Sequence, residues 1–320
     1  MLMIETDVII VGGGPAGSSC AWTLAKAGMS AIVLDKSSFP RPKLCAGWIT
    51  PRVLKRLRIN PQYYPHGITL FNHLHIYLGD KYLTVPNTQY AIRRVEFDAW
   101  LLKRSHVPVY QHCVKSIVQK DQEFIIDDRF RSKFLVGAGG TACPVYRTLF
   151  RQRIPRSHDM QITTLELEIP YDYHKDRCYL WFFDHDLPGY AWYVPKHDGY
   201  LNLGIGGKAS VLQERGETIH QHWEMFIEKL QNLGFIDEYE WQPKGYTYFL
   251  RTPSARDRIS GNAFVIGDAA GLATMDMGEG IAPAVESGIR AARAIITDRP
   301  LSFRGITRYS AKQILMPQYA

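Results

Sequence analysis

A chain of 320 residues, 46% hydrophobic and 22% charged, has room for one large domain or two interlocked ones with ample core, and no apolar run approaches the roughly 20 residues needed to cross a bilayer. The net charge of +7 suits an anionic substrate or the face of an anionic membrane as well as a plain solvated basic surface, and no nucleic-acid motif is present. Five cysteines, odd in number and without paired spacing, argue against a disulfide framework and against a zinc site; with a first strand that leaves no space for a signal peptide, they predict a reducing, cytoplasmic setting.

Residues 6–11 form an apolar run rich in Val and Ile that stops at Gly12-Gly13-Gly14-Pro15-Ala16-Gly17. The pattern predicts a buried parallel strand, then a helix over 16–27 with Pro15 in its first turn and Gly28 past its end. A second strand, 31–34, finishes on Asp35. Gly12, Gly14 and Gly17 therefore fall at the turn, the close backbone approach and the helix–strand contact of a dinucleotide fold. Pyrophosphate would rest on the helix N-terminus and Asp35 would accept a ribose hydroxyl. A glycine-rich turn in some other βαβ unit is the bland alternative.

Two prolines, Pro40 and Pro42, make residues 36–48 a loop leaving the C-terminal end of the second strand, where ligands gather in open α/β sheets. Within it, Cys45 beside Gly47 is a small thiol flanked by residues that let backbone approach a flat ligand; a buried structural cysteine is the alternative. A short helix is predicted over 51–57, then an antiparallel pair, 73–78 and 81–85, turning at Gly79-Asp80. His73 and His75 lie two apart on one strand, a spacing a metal could use, though surface histidines are the plainer reading. Arg93 and Arg94 precede an amphipathic helix whose inward set is Val95, Trp100, Leu101 and Leu102, and either arginine could reach a phosphate.

Residues 114–118, 124–126 and 129–131 read as a β-meander, followed by a strand running into a second glycine turn, Gly137-Ala138-Gly139-Gly140. The middle changes character: 162–169, 179–183, 190–195 and 200–206 alternate as antiparallel strands rich in Tyr and Trp, interrupted by one helix over 212–233. Such a sheet could wall an apolar pocket, or its aromatics could merely fill a sheet core. Finally 263–266 leads to the turn Gly267-Asp268-Ala269-Ala270-Gly271, and Gly278-Glu279-Gly280-Ile281 opens a helix to about Thr297. Asp268 at a strand end can bind a ribitol or ribose hydroxyl, so one nucleotide site draws on both ends of the chain and the middle is an insertion.

With these pieces placed, the chain resembles, over nearly its whole length, the FAD-dependent enzymes of the p-hydroxybenzoate hydroxylase fold, and within them the geranylgeranyl reductase family. The resemblance implies an α/β fold: a Rossmann-like FAD-binding domain (βαβ plus β-meander) over 1–70, 88–155 and 252–320, with an inserted antiparallel-sheet substrate domain over 71–87 and 156–251. Gly12, Gly14, Pro15, Ala16 and Gly17, with Asp35 and Lys36, look like the family's adenosine-diphosphate finger. Gly267 and Asp268 look like its second flavin motif, Asp268 holding the ribityl chain. Gly278, Gly280 and Ile281 would present backbone N–H groups to the flavin's pyrimidine end, and Arg94 would lie along the cofactor.

Two motifs narrow the choice. Lys43-Leu44-Cys45-Ala46-Gly47 is similar to the reductases' Cys-Ala-Gly-Gly loop, with Trp48 in place of the last glycine. Tyr190-Ala191-Trp192-Tyr193-Val194-Pro195 is similar to their Tyr-x-Trp-x-Phe-Pro substrate motif, with Val194 for Phe; flavin halogenases carry a related sequence. The chain departs from hydroxylases at Gly139, where they carry Asp, and from the reductases at Met275, where they carry Pro, and it is short for them at its C-terminus. The resemblance implies reduction of a C=C bond in an apolar, isoprenoid or polyprenyl substrate. Cys45 or a water it positions would supply the proton, and Tyr190 and Trp192 would shape the pocket. A flavin monooxygenase or halogenase, and a non-catalytic flavin- or lipid-binding protein, are the rival readings. NADPH or a ferredoxin would donate electrons, and a greasy substrate implies peripheral contact with a membrane.

Overall fold

A computed structural model describes residues 2–252 and 259–306. In chain order the elements are β1 Ile4–Val11, α1 Pro15–Lys26, β2 Ala31–Asp35, β3 Trp48–Ile49, α2 Pro51–Leu57, β4 Thr69–Leu78, β5 Lys81–Ala91 and α3 Arg94–Arg104. Then come β6 Val109–Gln111, β7 Ile117–Lys120, β8 Glu123–Ile126, β9 Phe130–Gly137, β10 Gln161–Pro170, β11 Tyr179–Phe182, β12 Gly189–Lys196 and β13 Tyr200–Lys208. The remainder is α4 Ala209–Arg215, α5 Ile219–Asn232, β14 Lys244–Phe249, β15 Ile259–Ser260, β16 Ala263–Val265 and α6 Ile281–Thr297.

The chain divides into two compact units. Among the described residues the first combines 2–41, 95–156, 249–252 and 259–306. Its sheet runs β15-β16-β9-β1-β2-β6, parallel from β16 through β6. The meander β7–β8 attaches antiparallel to β9. A parallel sheet needs cover on both faces, which is why β2 and the C-terminal halves of β1 and β9 are buried apolar runs rather than alternating ones. Val8, Ile9, Ile10, Val33, Leu34, Leu135 and Val136 have essentially no exposure. Helix α1 presents small residues, and α6 crosses it so closely that a Cβ on Gly288 would stand 2.2 Å from the Ala16 carbonyl oxygen.

The second unit comprises Pro42–Arg94 and Ser157–Tyr248 among the described residues; it takes in residues 42–70 and 88–94, which the sequence reading grouped with the nucleotide part. Its eight strands run β14-β10-β13-β12-β11-β4-β5-β3. The pairs β10–β13, β12–β13 and β11–β12 are antiparallel as the alternation predicts, but β4 and β11 pair in parallel. On one face Leu165, Trp181, Tyr193, Leu201, Leu203 and Ile205 pack against Leu212, Trp223, Phe226 and Leu230 of α4 and α5.

Several local expectations change. The helix expected over 212–233 is two: Gly216, at φ +68°, ends α4 in the left-handed region, and Thr218 with Gln221 forms a reciprocal capping box that starts α5. Phe130 and Arg131 are part of the one continuous strand β9 while Arg129 lies in the turn before it, the meander begins at Ile117 rather than at Val114, and β6 is an additional edge strand. In α3 the buried set is Phe97, Asp98, Leu101 and Leu102, whereas Val95 and Trp100 are only half-buried. His75 is no surface histidine: it is buried, 2.5 Å from the Tyr82 hydroxyl and stacked on that ring, and burial lowers its pKa; His73, in the same register but next to the shift that separates it from Phe71, is exposed.

Candidate active site

In the first unit the glycine finger makes a backbone cradle. Gly12 has φ +111°, and a Cβ there would lie 2.4 Å from the Ala138 carbonyl oxygen; one on Gly17 would lie 1.9 Å from the Gly12 oxygen. Gly14 differs, since a Cβ there would touch only the Arg41 guanidinium, at 3.8 Å. That open space faces the start of α1, where Gly14 is the N-cap, no side chain caps the helix and its first turn carries no acid. Uncapped N–H groups with the positive helix end make this an anion seat. Pro15 and Ala16 are buried in that first turn. Asp35 accepts the Gly13 N–H at 2.7 Å on Oδ2 and the Ser37 N–H at 3.0 Å on Oδ1, with Arg41 at 3.8 Å. It thus braces the finger and leaves lone pairs for a hydroxyl. Lys36 beside it is exposed.

The second glycine turn sits against the first. Gly267 has φ +57°, a Cβ on it would lie 3.0 Å from Ala16 Cβ, and its N–H donates to Ser287 Oγ at 3.0 Å. Asp268 is half-buried, with Oδ1 3.5 Å from where a Gly280 Cβ would stand. Arg156 ties two turns together, donating to the Thr141 carbonyl at 2.6 Å and the Ala269 carbonyl at 2.9 Å while its guanidinium lies 3.8 Å over the Tyr146 ring.

Glu279 holds the start of α6. Its Oε1 accepts the Ala282 N–H at 2.7 Å. Gly278, at φ +60°, and Gly280 flank it. Oε2 is buried without a hydrogen-bond partner, and burial pushes the carboxyl up to about 7. An anion seat at Gly14, a hydroxyl-binding carboxylate at Asp35 and an orphaned buried oxygen at Glu279 match the phosphate, ribose and polar edge of an extended dinucleotide, so these residues fit FAD.

In the second unit, Trp192 and Tyr190 lie on the sheet face opposite the apolar cluster, next to one another with ring centroids 5.8 Å apart. Trp192 is locked. It pairs with Gly204, where a Cβ would collide at 2.1 Å with the indole, and its Nε1–H donates to Asn202 Oδ1 at 2.7 Å. The Cys45 loop covers the same face. The Cys45 N–H donates to Glu166 Oε1, which also accepts Asn202 Nδ2 at 3.1 Å. Cys45 is half-buried, with Sγ accepting the Gly47 N–H at 3.4 Å. Gly47 is held at φ +72° between the Ile92 carbonyl and the Lys196 ammonium. Lys196, fully buried, pairs with Glu168 at 2.5 Å, and Arg93 reaches the other oxygen of Glu168 at 3.1 Å. Arg94 is buried in the same unit at the start of α3.

The structure thus brings the nucleotide-finger residues together in one unit and Cys45, Tyr190 and Trp192 in the other. Sequence reasoning missed Glu166, Asn202 and Lys196 as a buried polar layer, Glu279 as the α6 cap, and Arg156 as a tie. The one available signal was the pair Glu166 and Glu168 alternating with Leu165 and Leu167 in β10.

Comparison with known proteins adds independent support. Residues 5–72 match the FAD binding domain family. The chain is 32% identical over 311 residues to an uncharacterised protein of Methanosarcina barkeri, covering 92% of this chain and 75% of the relative. It is 27% identical over 313 residues to digeranylgeranylglycerophospholipid reductase 2 of Methanosphaera stadtmanae, covering 90% and 77%. A geranylgeranyl bacteriochlorophyll reductase-like protein of Thermoplasma acidophilum shares the fold at a TM-score of 0.77 and 22% identity, over 92% of this chain and 79% of that one. With the matching cradle and sheet in place, the chain belongs to the geranylgeranyl reductase-like family of FAD-dependent oxidoreductases.

Proposed function

We propose that this protein reduces C=C bonds of an isoprenoid or similarly apolar substrate. The observation that carries the reading is the locked Trp192–Asn202–Glu166–Cys45 arrangement: a flat aromatic wall, with Tyr190 beside it, next to a loop that holds a thiol. The relative named digeranylgeranylglycerophospholipid reductase supports the substrate class. Reduced FAD, when bound, supplies the hydride. The protein's share is alignment and exclusion of water, which an aromatic wall provides, and delivery of a proton to the second alkene carbon. Cys45 Sγ–H, or a water it positions, delivers that proton. Gly12, Gly14, Pro15, Ala16, Gly17, Asp35, Lys36, Arg94, Gly267, Asp268, Gly278, Gly280 and Ile281 would hold FAD. NADPH or a ferredoxin would reduce it, and substrate would be drawn from a membrane surface. No helix among the described residues is long and apolar enough to cross one.

A halogenase would need a lysine free to meet the substrate. Lys196 is fully buried and paired with Glu168, which argues against that role for it.

The test is direct. The holoenzyme is reduced chemically under strict anaerobiosis and given geranylgeranyl diphosphate. Flavin reoxidation without oxygen, with a product heavier by two hydrogens, is expected. Flavin that stays reduced until oxygen is admitted would reject the reductase reading for this substrate and favour the oxygenase or halogenase one.

A further inference from the structure

Two glutamates share one face of β10 and meet different surroundings. Glu168 takes both cations, Lys196 at 2.5 Å and Arg93 at 3.1 Å. Glu166, 3% exposed, is hydrogen-bonded among the described residues by neutral amides, those of Cys45 and Asn202, and both fall on Oε1. A buried carboxyl without a bonded cation favours its neutral form. Burial indeed raises the Glu166 pKa, against the opposing pull of Lys196, the two amide donors and Lys43.

We propose that Glu166 is the proton-holding and positioning residue of the Cys45 loop: Oε1 fixes the Cys45 and Asn202 amides, and Oε2 carries the proton that replaces the one Cys45 gives up. The proposal rests on the alkene-reductase reading for its role in turnover. The thiol gives its proton to the alkene carbon and becomes thiolate, and the carboxyl returns a proton to the sulfur. The carboxyl is bonded to the backbone amide of Cys45 itself, and water carries the proton between the two. The resulting carboxylate regains its proton from solvent. No electrons move in these steps; both come with the hydride. The charged and titratable groups facing Glu166 are Lys196 from β12, Lys43 and Cys45 from the loop, and Glu168 from its own strand, with Arg93 beyond Glu168.

The test uses the FAD-loaded protein carrying Cys113→Ser, since Cys113 is exposed whereas Cys20, Cys143 and Cys178 are buried. Iodoacetamide then reports on Cys45. In this parent, alkylation against pH carries an inflection where Glu166 loses its proton. In Glu166→Gln, which keeps the acceptor for both amides, that inflection is absent. Above the pH at which the parent's inflection falls, alkylation is severalfold faster in the variant, because Gln places no carboxylate beside the sulfur. Single-turnover reoxidation of reduced flavin by alkene slows at least about tenfold, with KM and FAD content unchanged. Coincident alkylation curves for the two proteins would overturn the proposal. So would a parent curve without that inflection, a result that stands even where the Gln variant fails to fold. If the parent reoxidises with no alkene, the reductase reading fails, and the alkylation curves alone still decide whether Glu166 holds a proton beside Cys45.

Discussion

Glu279→Gln in the cofactor-free protein isolates one buried carboxyl. Its pKa stands at about 7 in the folded chain, raised by burial from 4.5. The folded state therefore binds this proton more tightly than the unfolded state. Its stabilising effect is complete below about pH 4.5 and is lost as pH rises through about 7. A gap of roughly 2.5 pH units corresponds to about 3 kcal/mol. Gln keeps the acceptor for the Ala282 N–H and carries no titrating group, so the variant lacks this slope while every other group contributes equally to both proteins. The assay is urea unfolding followed by circular dichroism at four pH values from about 5 to 8. Wild type should lose up to about 3 kcal/mol relative to the variant across that span, or roughly 1 M in the urea midpoint. Parallel curves would refute the argument, because a carboxyl that titrates alike in both states leaves no pH signature.

Gly17→Ala forces a Cβ to 1.9 Å from the Gly12 oxygen, so it should cost about 3 kcal/mol or more and yield protein with little bound flavin, read from the absorbance of the purified product. Gly204→Ala collides with the Trp192 indole; loss of the Trp192–Asn202 hydrogen bond should lower stability by about 2 kcal/mol and slow anaerobic alkene reduction while FAD content is unchanged. Lys196→Ala leaves half-buried Glu168 with Arg93 alone and should destabilise by about 1–3 kcal/mol in chemical unfolding; an unchanged midpoint would mean that Lys196 is not buried in solution. Cys45→Ser should leave the protein yellow and slow alkene reduction, and full turnover would remove Cys45 from the chemistry.

The nucleotide unit was legible because its signals are local: an apolar run, three glycines, a proline at the first helical position and an acid at the next strand end lie within some thirty residues. The buried polar layer was not. Leu165 and Leu167 alternate with Glu166 and Glu168, the pattern of a strand with one face in water. That face is instead covered by a loop 121 positions away in the chain, and no local pattern reports such a partner. Lys196, at a strand end, reads as solvated for the same reason. The break between α4 and α5 was written in Gly216 and in the Thr218–Gln221 pair, but the apolar periodicity across 212–233 outweighed those two marks. Edge strand β6, three residues long, carries too few positions for any period.

The crossing of α1 with α6 bears on the order in which the chain can fold as it is made. Residue Ala16 leaves the ribosome some 270 residues before its partner Gly288. Until then the small-residue face of α1 has no cover, and until Val265 is made β9 lacks its neighbour β16. Every strand of the second sheet has been synthesised by Phe249. Non-local closure is slow and leaves surface open to association. The nascent chain thus exposes its nucleotide half longest, and chains stalled before residue 281 should be the ones that chaperones hold.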